Sequence, residues 1–132
     1  MKQILALTSL LVLAACNAPK PPSDTEGQAA KKVVDASTTA YANCISEGAK
    51  TIDVSGEAAG TLGDRVVLAC KPQRNKLMAD IIVFHQIGHP KDSIAQSKAV
   101  AEASVATAED TLRTNSVVTI VTRQTSASAK AK

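Results

Sequence analysis

Two aromatic side chains, Tyr41 and Phe84, and no tryptophan occur in a chain of 132 residues. Any core must therefore be assembled from Ala, Val, Ile and Leu, which remove less area from water than aromatic rings do. A body of this size built from such side chains is marginal, and any covalent tie it possesses matters. The order of its apolar residues decides what it can build.

That order is helical. Between Gln28 and Ile52 the larger apolar groups fall at Val34, Tyr41, Cys44, Ile45 and Ile52, in steps of three, four and seven. A second stripe runs through Leu62, Val66, Ala69, Cys70, Leu77, Ile81 and Phe84, and a third through Ile94, Ala101, Val105, Ala108 and Leu112. Ser55-Gly56-Glu57-Ala58-Ala59-Gly60 is the strongest turn signal, and Gly88-His89-Pro90 marks a second break, with Pro90 suited to opening a helix. Pro72 interrupts the second stripe, so that segment is expected to kink near Cys70 or split into two helices. Ser23-Asp24-Thr25-Glu26 matches a capping box, although Gly27 weakens that start, and Thr61-Leu62-Gly63-Asp64 offers another cap. The β-branched run Val117 to Thr122 has strand propensity but no partner strand, and is read as a continuation of the third helix.

The amino-terminal residues address location. Lys2 followed by the apolar run Ile4 to Ala15 has the layout of a secretory signal and is shorter than the roughly 20 residues a spanning helix needs. Its end, Leu13-Ala14-Ala15-Cys16, closely resembles the lipobox of bacterial lipoproteins. That resemblance implies cleavage before Cys16, a diacylglyceryl thioether on Cys16 and acylation of the new amino terminus (palmitate among the chains). Asn17 lacks the carboxylate that retains members of that class at the inner membrane. The expected location is thus the periplasmic face of the outer membrane, with the bilayer as the partner of acylated Cys16.

With Cys16 assigned to lipid by that resemblance, Cys44 and Cys70 remain, and in an oxidising periplasm they are expected to form a disulfide. They lie symmetrically about Glu57, so a hairpin folded there brings the two sulfurs level. The register this implies places Ile52 opposite Leu62, Ile45 opposite Ala69 and Val33 opposite Ile81. A redox pair would call for the close Cys-x-x-Cys spacing, which is missing. Tyr41-x-x-Cys44 with Ala69-Cys70 also resembles small exported proteins of Gram-negative bacteria, a likeness that carries no activity with it.

The expected fold is all-α, a disulfide-linked helical hairpin plus a third long helix. Residues 1–15 are the signal peptide, 16–28 a tether containing Pro19, Pro21 and Pro22, 29–123 the helical domain and 124–132 a disordered basic tail. The third helix is expected to be the least firmly packed element. Its stripe is mostly Ala, and residues 113–123 place apolar groups on several sides, a surface for a protein partner.

The residue types bearing chemistry are few. The formal charge of +3, about +2 once Lys2 is removed with the signal, comes with mixed acids and bases and shows no clustered basic face, so no nucleic-acid partner is expected. No Ser, Thr or Lys can be paired with an evident base, so an enzyme is not expected, and no cofactor is implied. His85 and His89, four residues apart, are weak metal candidates, with Asp92 or Glu47 as a further ligand; the plain alternative is two solvated histidines at a helix end. Glu109-Asp110 reads as solvated surface. The principal expectation is a lipid-anchored binding or structural module. The alternative is attachment to peptidoglycan through the terminal Lys132, as in the major outer-membrane lipoprotein class, which this tail matches only in its last residue.

Overall fold

A computed structural model of the chain describes residues 24–130 and is all-helical, with no strand among the described residues. Four helices run in order: α1 Asp24–Thr51, α2 Ala59–Ala69, α3 Lys71–Gly88 and α4 Ile94–Lys130. The expected second helix is split at Cys70. Pro72 has no N–H to give the carbonyl one turn back and its ring crowds that turn. The Cys70 N–H instead bonds to both Val66 and Val67 carbonyls, and α3 starts afresh with Pro72 in its first turn.

Cys44 and Cys70 are joined, with their Cα atoms 5.9 Å apart. The hairpin register this bond implies holds in the neighbouring turns. A methyl group added at Gly48 would meet Val66 Cγ1 at 2.9 Å, so the two backbones approach here as only glycine permits. Farther from the bond the register drifts: Ser37 donates to Asp80, one turn beyond the position the hairpin expects. Val33, expected opposite Ile81, is 47% exposed, and Ala69 and Phe84 from the expected second stripe are likewise partly open to solvent.

The core consists of Tyr41, Ile45 and Ala49 from α1, Leu62, Val66, Cys70 and Leu77 from the descending arm, and Ala101, Val105 and Ile120 from α4. Helix α4 packs against all three other helices rather than along a rim. Its inward face runs Ser97, Ala101, Val105, Leu112, Ser116, Ile120, so two buried serines occupy places a search for apolar residues passes over. Ile94, expected on that stripe, is 64% exposed. Val117–Thr122 is helix, as expected, but Ser116 and Ile120 are buried, which corrects the expectation of a loosely packed segment at 113–123.

Several boundaries also move. Helix α1 begins at Asp24, inside the expected tether, and α2 begins at Ala59, ahead of the expected cap at Thr61–Asp64. Helix α4 continues through Lys130, past the expected tail boundary at 123. Arg123 and Gln124 explain the extension. The Arg123 guanidinium donates to the Ala49 and Ile52 carbonyls at 2.9 and 2.8 Å, closing the open carbonyl end of α1, and Gln124 donates to Val54 and Glu57 carbonyls in the loop beyond. In that loop Asp53 accepts from the Ser55 N–H and hydroxyl, and Gly56 takes a φ of +77°, which suits glycine.

Candidate functional site

The corner between α3 and α4 brings the two histidines and Asp92 together. Helix α3 ends as the His89 N–H bonds to the His85 carbonyl at 2.8 Å, and the Asp92 N–H then bonds to the His89 carbonyl at 3.0 Å. This tight turn returns Asp92 over the last turn of α3. Pro90 lies within the turn and does not open the next helix as expected. That start belongs to a capping box: Ser93 Oγ accepts the Gln96 N–H, and the Gln96 side-chain carbonyl accepts the Ser93 N–H at 2.8 Å.

The rings of His85 and His89 stack with centroids 4.5 Å apart. His85 Nε2 lies 3.9 Å from Asp92 Oδ2, and its Nδ1 lies 3.1 Å from the hydroxyl of fully buried Ser97. The Gln86 amide donates to Ser97 Oγ at 2.9 Å and to the Asp92 carbonyl at 3.2 Å. One donor atom from each of His85, His89 and Asp92 falls within 4.8 Å of the others. The sequence named these three residues; the bracing by Gln86 and Ser97 was not legible in it. Glu47, the other acid considered, pairs with Lys50 on its own helix at 2.8 Å.

A second cluster forms where α1, α3 and α4 meet. Tyr41 and Arg74 both donate to Glu109 Oε2, each at 2.7 Å. Burial, reinforced by the hydrogen bond to Glu109, pushes the Tyr41 phenol above the usual tyrosine range. Glu109 is therefore a structural acceptor rather than solvated surface, which corrects the sequence expectation; Asp110 does face solvent. Beside it lies an open cleft of about 400 Å³ lined by Lys71, Arg74, Arg113, Asp64, Leu68 and Glu109. Arg74 pairs with Glu109 and Arg113 with Asp64, so most of its charge is engaged internally.

Cys16 and Lys132 lie outside the described residues. No helix of the described residues is long and apolar enough to cross a membrane. Comparison with protein-family models, curated proteins and solved structures finds no match to this chain. The apolar excess expected at the end of the third helix is partly absorbed by the core, leaving Val118 and Val121 exposed.

Proposed function

We propose that the chain is a lipoprotein anchored through acylated Cys16 to the periplasmic face of the outer membrane, carrying a small helical body that serves as a binding or structural module. The observation that carries this reading is the pairing of cysteines. Of three in the chain, Cys44 and Cys70 are bonded to each other. Disulfides of this kind belong to oxidising compartments. The bridge also leaves Cys16 as the one cysteine outside it, at the end of a sequence resembling a lipobox. Each buried CH₂ of an acyl chain contributes about 0.8 kcal/mol, so two or three chains suffice for stable anchoring without a spanning helix.

Metabolic labelling with a palmitate analogue tests the anchor. Label is expected on the wild-type protein and absent from Cys16→Ser, which should leave the membrane fraction or accumulate as an uncleaved precursor. Wild-type protein that stays membrane-bound without taking up label would refute the reading.

A further inference from the structure

We propose that His85, His89 and Asp92 bind a borderline divalent transition-metal ion, copper(II) most tightly and zinc(II) next. The Ser97 hydroxyl accepts from the Gln86 amide at 2.9 Å, and it has both the Ser93 carbonyl at 3.3 Å and His85 Nδ1 at 3.1 Å within reach. When the hydroxyl gives its hydrogen to the Ser93 carbonyl, it accepts from His85 Nδ1–H, and that arrangement turns Nε2 outward as a ligand. In that arrangement Nε2 presents its lone pair. That lone pair lies 3.9 Å from a carboxylate oxygen of Asp92, which also has only lone pairs to offer. A divalent cation between Nε2 and this carboxylate would satisfy both, and His89 places a third ligand atom within 4.8 Å of them.

The surroundings are those of a supported ligand set. A metal-bound histidine ordinarily gives its other ring nitrogen to a fixed acceptor, which sets its tautomer and orientation. Ser97, completely buried, is that acceptor here. Gln86 ties the same hydroxyl to the Asp92 backbone, so one side chain positions both the histidine and the turn bearing the acid. His85 is nearly enclosed, its side chain 14% exposed, while His89 and Asp92 face solvent more. Donors around one tetrahedral ion at about 2.0–2.1 Å sit roughly 3.3 Å apart. The two more exposed side chains can supply that closure by rotating toward the fixed one.

Ligand chemistry selects the ion. Two imidazoles and one carboxylate suit copper(II) and zinc(II), with copper(II) favoured by the general affinity order, whereas calcium and magnesium require more oxygen ligands. Three protein donors leave coordination positions to water or an external ligand.

The experiment is calorimetric titration of the purified full-length protein with copper(II), zinc(II) or magnesium, with electron paramagnetic resonance of the copper form. Because the chain has only two histidines, an imidazole signature reports on this corner alone. One copper per chain with two imidazole nitrogens is expected, with weaker zinc binding and none of magnesium. His89→Gln alters an exposed side chain and should preserve the fold, checked by circular dichroism. It and Asp92→Asn should each weaken copper by about tenfold or more, the scale on which even supporting groups act. No stoichiometric copper binding, affinity unchanged in both variants, or magnesium bound as well as copper would each overturn the proposal.

Discussion

Tyr41 on α1 donates its hydroxyl hydrogen to Glu109 on α4 at 2.7 Å, and the oxygen that accepts it also accepts Arg74 Nε from α3. One carboxylate thus joins three helices in a body with few large side chains. Glu109→Ala should destabilise the fold by about 1–3 kcal/mol, because it leaves a buried phenol and a half-buried guanidinium without their acceptor. Tyr41→Phe should cost less, about 1 kcal/mol. Urea titration of both variants and their double mutant should show strongly non-additive losses.

The same tyrosine sets the alkaline limit. Its folded-state pKa is raised, so its contribution is complete below the unfolded value of about 10 and is lost as pH rises toward the folded value. Since Tyr41 is the chain's only tyrosine, its phenolate absorbance reports on one site. Ionisation and loss of helix should coincide above pH of about 10. Ionisation at an ordinary tyrosine pH with helix retained would show that the phenol is not enclosed as described.

Replacing both Cys44 and Cys70 by Ala opens a loop of 26 residues. The chain-entropy estimate for such a loop is about 3–4 kcal/mol, which for a domain of this size corresponds to a fall in thermal midpoint of about 10 °C or more. Calorimetry of the double variant measures it. Alkylation of the wild type without reductant should find neither thiol free.

At Gly63 an added methyl group would meet Val117 Cγ2 at 2.7 Å. Alanine improves helix propensity by about 1 kcal/mol, yet the stiff valine cannot yield without moving α4, and overpacking of this kind costs about 1–3 kcal/mol. Gly63→Ala should therefore destabilise, and Val117→Ala in the same chain should restore most of the loss. The thermal midpoints of the two singles and the double decide it.

Amide exchange should be slow and similar in 62–70 and 113–124, since both stretches contribute to one core and the Arg123 and Gln124 side chains fasten the latter. Fast exchange at 113–124 in the isolated protein would contradict this packing.

The helices were legible because Val, Ile and Leu at three- and four-residue spacing mark an inward face, and the bridge was legible because Cys44 and Cys70 flank a turn symmetrically. The packing of the last helix is less legible for a physical reason. Its inward face uses Ser97 and Ser116, small polar residues that lower the apparent apolarity of a face packed against three neighbours. Its extension depends on Arg123 and Gln124 reaching carbonyls more than sixty residues away, which no local pattern encodes. The α3–α4 corner was half legible. Residue types name His85, His89 and Asp92, while the helix start there belongs to the capping box Ser93-Ile94-Ala95-Gln96 and not to Pro90.

The direction of α1 gives the body two unlike ends. Its 28 residues span about 40 Å, with Asp24 at one extreme and the α1–α2 loop, fastened by Arg123 and Gln124, at the other. Ser37 lies level with Asp80, so the chain before it runs toward the end where α3 turns into α4. A molecule held by what precedes Asp24 would stand with the histidine corner on its membrane-proximal side. Under the proposed anchoring, the terminus of α4 would point away from the surface, the end first met by any approaching partner.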